Sequence, residues 1–106
     1  MATGRLGTSN LSATTDTVLY TCPASNFAVA SVSLCNRNAT SITVRIAVTA
    51  SASPANDEYI EYDTTLLANG VLERTGIALD TTKNVVVYAS SADTSVSVYG
   101  IETAVV

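Results

Sequence analysis

Histidine and tryptophan are both absent from this chain of 106 residues, and cysteine and proline occur only twice each. Because no other side chain supplies a neutral nitrogen base near pH 7, the lack of histidine excludes Ser-His-Asp and Cys-His catalytic pairs, histidine proton shuttles and histidine-containing metal sites. Two cysteines are also too few for a four-ligand zinc site or an iron–sulfur cluster. We therefore expect no enzymatic activity, with no catalytic residue, bound metal or cofactor.

Charged residues make up only 13% of the chain, about half of their usual share. The net charge of −4 leaves no cluster of cations that could replace counterions on a nucleic-acid backbone or bind anionic lipid. The first residues lack the apolar stretch of a signal peptide, and no window approaches the roughly 18 apolar residues of a membrane span. Neither nucleic acid nor a membrane is therefore an expected partner, and we expect the chain to be made and kept in a cytoplasm.

Hydrophobic residues, by contrast, make up 47% of the chain, and hydroxyl side chains supply most of its polar character. Sixteen Thr and thirteen Val favour pleated strands over helices. A chain of this length forms one compact domain by default. We predict a single all-β domain over residues 1–106. Residues 1–15 are predicted to form an extended N-terminal arm, which Gly4 and Gly7 make flexible.

Apolar and polar residues alternate with a period of two along much of the chain, as strands with one buried face require. The clearest case is residues 41–49, in which Arg45 points away from the apolar face. Residues 27–36 alternate in the same way, and the turn-forming residues 36–40 are predicted to join these two strands as a hairpin. The other predicted strands are 18–22, 58–63, 71–79, 84–90 and 95–101.

Seven or eight short strands with turns about every ten residues are typical of an antiparallel β-sandwich or jelly roll, because such strands bury one face only when two sheets pack together. Residues 85–89 are apolar on both faces, which predicts a central strand. Asn69 and Gly70 form a strong turn signal, and Gly76 predicts a turn or bulge within the strand at 71–79.

Cys22 and Cys35 are separated by thirteen residues, a spacing that does not match a Cys-x-x-Cys motif. Thiols remain reduced in a cytoplasm, so we expect two reduced, largely buried cysteines. A disulfide between neighbouring strands is the alternative.

One stretch of the chain carries a cluster of acidic side chains. Paired carboxylates could hydrolyse glycosides, or carboxylate oxygens could bind Ca²⁺, but the spacing is not that of an EF-hand. A solvated or intersubunit acidic edge is the favoured interpretation. The cluster consists of Asp57, Glu58, Glu61 and Asp63.

Tyr59 and Tyr62 lie within the same acidic stretch. Their rings could stack on the apolar face of a sugar, although packing in the core or in an interface is the more common use of tyrosine. The chain's apolar C-terminus is an expected subunit contact, and Glu73 and Arg74 are candidates for an ion pair across a subunit boundary. The candidate interface comprises Arg45, Tyr59, Glu61, Tyr62, Glu73, Arg74, Ala104, Val105 and Val106.

Five stretches of the chain form a recognisable set: MATGRLG at 1–7, SPANDEYIEYD at 53–63, ANGVLERTG at 68–76, VVVYA at 85–89 and YGIE at 99–102. Together they resemble small virion structural proteins of tailed phages, notably those of cyanophages and other marine phages. The resemblance covers nearly the whole chain and implies a non-catalytic component of the particle. It brings no active-site motif, and it does not say where on the virion the protein lies.

The residues and the resemblance together predict a structural protein that decorates or cements a phage capsid as a homotrimer, with other virion proteins, such as the major capsid protein or tail proteins, as its partners. A tail, baseplate or fibre component is the alternative within the virion. An alternative of another class is a carbohydrate-binding module that attaches the particle to host glycans through Tyr59, Tyr62 and the nearby acids.

Overall fold

The computed structural model describes residues 3–105 and is built almost entirely of antiparallel strands, which confirms the predicted all-β class and the expected seven or eight strands. A single 3-10 turn, Asn56–Glu58, lies in the connection between the fourth and fifth strands. The eight strands are β1 (Thr3–Leu11), β2 (Thr17–Thr21), β3 (Asn26–Asn36), β4 (Ile42–Thr49), β5 (Tyr59–Leu66), β6 (Val71–Leu79), β7 (Asn84–Ala89) and β8 (Thr94–Ala104).

The strands form two four-stranded sheets that pack face to face. Sheet A has the order β1-β8-β3-β6, and sheet B has the order β2-β7-β4-β5. The pairs β4·β5, β3·β6, β2·β7 and β1·β8 are therefore nested around one hairpin, which is the strand order of a jelly roll. The β-sandwich and jelly-roll predictions are both confirmed.

The core lies between the sheets and follows the predicted alternation. In β3 every second residue from Ala28 to Leu34 is buried, and in β8 Val96 and Val98 are buried while Tyr99 points outward. The β7 run that is apolar on both faces occupies a central position in sheet B, as predicted. The largest fully buried apolar side chains are Leu11, Val32, Leu34, Val44, Ile46, Leu79, Val85, Val86, Val87 and Val98.

The prediction that the strands at 27–36 and 41–49 pair as a hairpin is wrong, because β3 lies in sheet A and β4 lies in sheet B. The chain between them crosses from one sheet to the other around the buried amide of Asn36. Its Nδ2 donates to the carbonyls of Thr40 at 2.9 Å, Leu66 at 3.2 Å and Leu67 at 3.0 Å. These hydrogen bonds satisfy the backbone carbonyls at the crossing, and β3 and β4 do not pair with each other.

The predicted N-terminal arm is also corrected where the structure describes it. Residues 3–11 form β1, which pairs with β8 from Thr3 opposite Ile101 to Leu11 opposite Thr94. The reason is that β8 offers a free row of backbone donors and acceptors, and Leu11 is buried between the sheets.

All four edge strands carry a bulge, whereas the central pairs β3·β8 and β4·β7 keep a continuous register. The extra residue is Leu6 in β1 and Leu19 in β2, and β5 is bulged twice. In β6 the bulge lies next to Gly76, which has a φ of +72°. The predicted bulge at this glycine is confirmed, since positive φ is readily adopted without a Cβ.

Both described ends of the chain lie at one end of the sandwich, here called the terminal end, together with the connections at 22–25, 50–58 and 80–83. Cys22 is buried at this end, while Cys35 is half-buried near the opposite end of β3. Because the two thiols lie at opposite ends of the sandwich, the alternative of a disulfide between Cys22 and Cys35 is wrong.

Candidate interaction surfaces

The outer face of sheet A carries an exposed apolar band near the terminal end. It consists of Phe27, Val29, Tyr99 and Ile101, and it arises because these residues occupy the outward positions of the paired strands β3 and β8. Val29 lies directly opposite Ile101, and these two side chains are 50% and 56% exposed. A contiguous apolar patch of this kind on a small domain is a candidate contact surface.

Opposite charges flank the apolar band on the two edge strands of sheet A. Arg5 in β1 lies opposite Tyr99, and it forms no ion pair with any residue in the range 3–105. Glu73 in β6 accepts a hydrogen bond from the Tyr99 hydroxyl at 2.5 Å. This hydrogen bond to a carboxylate raises the pKa of Tyr99 and keeps the phenol neutral.

Beyond the band, the outer face of sheet A becomes polar. A shallow groove of about 430 Å³ is lined largely by short hydroxyl side chains, and Arg5 also lines it. The groove contains no aromatic side chain, so it lacks a stacking surface for a sugar. Its other polar lining residues are Thr8, Ser9, Asn10, Ser33, Ser95 and Ser97.

The outer face of sheet B carries a cluster centred on Arg45. The bulge in β5 sets both Tyr62 and Asp63 opposite Arg45, with Asp63 at a φ of +50°. Arg45 Nε donates to Asp63 Oδ1 at 2.6 Å, and its guanidinium carbon lies 4.4 Å from the ring centroids of both Tyr62 and Tyr88. The hydrogen bond to Asp63 raises the pKa of Arg45. Arg45 is thus held within its own chain by a carboxylate and two rings.

Tyr59 joins this cluster but does not form a flat platform with Tyr62. The two ring centroids are 4.9 Å apart, and the ring planes meet at 79°. An edge-to-face pair offers no common surface on which one sugar ring could lie. Tyr62 itself remains 58% exposed, so a single ring is accessible.

Glu61 and Arg74 form an ion pair that links the two sheets at one side of the sandwich. Arg74 Nη1 lies 2.5 Å from Glu61 Oε2 and 3.3 Å from the carbonyl of Ile60, while Thr64 donates to Glu61 Oε1 at 2.8 Å. The pair joins β6 of sheet A to β5 of sheet B. Arg74 therefore has a partner within its own chain, in contrast to the expected pair across a subunit boundary.

The other acidic residues of the predicted cluster also separate. Glu58 accepts hydrogen bonds from the backbone amides of Ala50 at 3.0 Å and Ala55 at 2.9 Å, so it stabilises the loop before β5. Among residues 3–105, no group of three potential ligands is placed to hold a metal ion. No helix in that range has the length and apolar character needed to cross a membrane.

The C-terminal residues continue the pairing of β8 with β3. Ala104 lies opposite Asn26, and the Val105 amide donates to the Ser25 carbonyl at 2.9 Å. The Val105 side chain remains 55% exposed beside the apolar band, while Val106 lies outside the described residues. Ala104 and Val105 are already ordered by β3, so they would not lose the freedom of a loose tail when they bind a partner.

A buried polar cluster at the terminal end was missed by the sequence predictions. The Tyr20 hydroxyl donates to Glu102, which is only 7% exposed. Burial is the main reason that the pKa of Tyr20 is raised, and the Glu102 carboxylate adds to it; burial likewise raises the pKa of Cys22. In the alternation of β8, Glu102 faces the same inward side as Val98. This pattern is the sequence signal that could have revealed the buried carboxylate.

The fold and these surfaces define a jelly-roll β-sandwich with an exposed apolar band on sheet A and a cluster of Arg45 with tyrosine rings on sheet B. Comparison with protein families, curated proteins and solved structures finds no match to the chain.

Proposed function

We propose that this chain is a non-enzymatic structural protein of a phage virion, of the type that decorates or cements the capsid. The apolar band on sheet A carries the proposal, because it provides a rigid contact surface that requires no reacting group. The jelly-roll strand order supports it by analogy, since this architecture recurs in viral capsid proteins as well as in lectins. The resemblance of the sequence to virion proteins of tailed phages is an independent support.

The mechanism follows from geometry and repetition. Val29 and Ile101 lie on the two central strands of sheet A, where a continuous register holds them rigidly. A contact made by such a face loses little side-chain or backbone freedom on binding. Many identical copies on a symmetric shell add their weak contacts together, so the assembled layer resists internal pressure better than one contact could.

The proposal is tested by adding the purified protein to phage heads that lack it and locating it by electron microscopy. We expect a symmetric layer on the head, with a copy number comparable to that of the major capsid protein. Val29→Asp should abolish this layer, because it places a charge within the apolar band. Leu67→Asp is the matched control, since Leu67 is 67% exposed but lies outside the band.

Density restricted to the tail, baseplate or fibres would support the alternative location within the virion. No density on either head or tail would contradict the proposal of a virion structural protein.

The exposed ring of Tyr62 favours a second candidate function, the binding of a host glycan. Screening on a glycan array tests this candidate, with Tyr62→Ala and Tyr59→Ala as variants that should lose any signal while they retain their β-sheet circular dichroism. An absence of binding at millimolar sugar would eliminate it.

A further inference from the structure

We infer that the outer face of sheet A binds a second copy of this chain about a two-fold axis that runs roughly along the strands, between β3 and β8. The inference deepens the proposed function and rests on it for one premise, that the apolar band binds protein, here a neighbouring copy in the same layer. It specifies the partner, the symmetry and the residues that meet.

The edges of both sheets are unsuited to the addition of a strand from another chain. Each of the four edge strands is bulged, so none presents a straight row of backbone donors and acceptors to another strand. Bulges at exposed edges are a recognised way in which proteins prevent strand addition. Strand addition at these edges is therefore disfavoured, which leaves contact through a face of the sandwich.

The register of sheet A makes this face complementary to itself. A two-fold axis between the central strands places β3 of one copy over β8 of its partner, and β8 over β3. Val29 and Ile101 are register partners and so lie at the same height along the axis. Each Val29 then meets the partner's Ile101, and each Ile101 meets the partner's Val29. Sheets packed face to face cross at about 30°, which inclines the axis to the strands by about half that angle and leaves Val29 and Ile101, next to the axis, in contact.

The same two-fold axis brings the flanking charges of one copy towards the opposite charges of the other. The axis places β1 of one copy over β6 of the other, so Arg5 faces the strand that carries the partner's Glu73. Glu73 is at the same level along the strands as Ser33 and Ser97. Arg5 and Tyr99 lie at the next outward-facing position, about 7 Å away along the strand direction. Arg5 lies next to this level, because it lines the same groove as Ser33 and Ser97.

Within one copy, Arg5 and Glu73 cannot pair with each other. They lie on the two opposite edges of sheet A, three strand spacings or about 14 Å apart. In the two-fold pair each forms a contact with the other copy, and the contact occurs twice. The apolar residues at the centre and the opposite charges at the rim match the usual anatomy of a protein interface.

The size of the face sets the strength of the pair. Four strands about 4.8 Å apart, over about eight residues of roughly 3.3 Å rise, give a face of about 500 Å². Two such faces bury about 1,000 Å² in total, close to the lower limit for a specific interface. We therefore expect a reversible dimer rather than a permanent one. The homotrimer predicted from the sequence would instead need two different patches in contact, because a three-fold interface is not self-complementary.

Analytical ultracentrifugation of the full chain over a range of concentrations tests the inference. We expect a monomer–dimer equilibrium. Arg5→Glu and Glu73→Arg should each weaken association about tenfold, because each turns two modest surface ion pairs into repulsions. The double variant Arg5→Glu/Glu73→Arg should restore dimerisation, since it exchanges the two charges and otherwise loses only the Tyr99–Glu73 hydrogen bond within each copy. Lys83→Glu is the matched charge reversal away from sheet A and should have no effect.

A protein that stays monomeric, or that forms trimers, would overturn the inference, and so would a double variant that fails to recover. Circular dichroism of each variant checks that these exposed substitutions leave the sheets intact. The two proposals fail separately. A monomer that still coats phage heads refutes the two-fold pair alone, whereas a charge-dependent dimer that binds no particle refutes the virion function alone.

Discussion

Replacement of Asn36 by aspartate should destabilise the domain severely, although the two side chains have almost the same shape. The Asn36 side chain is fully buried, and its Nδ2 group donates to three backbone carbonyls, those of Thr40 before β4, Leu66 at the end of β5 and Leu67 just after it. Aspartate removes the donor and places an oxygen against those carbonyl oxygens. It keeps the acceptor Oδ1, which receives the backbone and side-chain amides of Asn38, both at 2.9 Å. The substitution therefore isolates the contribution of the Nδ2 group.

The magnitude follows from the carbonyls left without a donor. Each unsatisfied buried group costs about 1–3 kcal/mol, so the loss of the two protons of Nδ2 should cost roughly 3–5 kcal/mol. A domain of this size is stable by only about 5–15 kcal/mol. At about 4–8 °C per kcal/mol, the midpoint of thermal unfolding should fall by at least about 12 °C.

Thermal and urea unfolding followed by circular dichroism measure this effect, with Asn10→Asp as the matched control. Asn10 lies on the outer face of sheet A and uses its Oδ1 to accept a hydrogen bond from Arg37, so an aspartate retains that contact. We expect Asn10→Asp to change stability by less than about 0.5 kcal/mol. If Asn36→Asp unfolds within a degree or two of the unmodified chain, the view that Asn36 holds the crossing between the sheets is refuted.

Two further predictions concern the interior and the close contact of β8 with β3. The free energy of unfolding should fall as the pH rises above about 9–10, because Tyr20 and Cys22 have raised pKa values in the folded chain and the unfolded chain releases their protons first. Urea titrations from pH 7 to 11 measure this fall, and Tyr20→Phe should reduce it; an unchanged slope would exclude Tyr20 as its source. Gly100→Ala should cost several kcal/mol, because the new Cβ would lie 2.1 Å from the Val29 carbonyl oxygen and force β8 away from β3. Normal cooperative unfolding of Gly100→Ala at the original midpoint would contradict this contact.

Much of the fold could be predicted from the sequence because burial of one strand face leaves a local pattern. The alternation in residues 27–36 and 41–49 identified the strands and their inward side chains, and the all-apolar run at 85–89 identified a central strand. The bulge at Gly76 was predictable for a similar reason, since a glycine within a strand pattern marks a local departure from regular pairing.

The candidate surfaces were only partly predictable. Arg45, Tyr59 and Tyr62 were selected from their residue types, but the contribution of Tyr88 depends on the pairing of β4 with β7. The role of Asp63 likewise depends on the bulge that places it beside Arg45. The apolar band was missed because Val29 and Ile101 are distant in sequence and become neighbours only when β3 pairs with β8.

The sequence by itself determined which residues face inward, because alternation is a property of each strand alone. Only the tertiary structure decided which strands are neighbours, and thus that residues 3–11 join sheet A and that β3 and β4 lie in different sheets. Strand pairing is long-range: the same alternating segments could satisfy their backbone hydrogen bonds with several partners. The nested jelly-roll order is selected by the joint packing of both sheets and by the buried amide of Asn36, and neither is visible in any single segment.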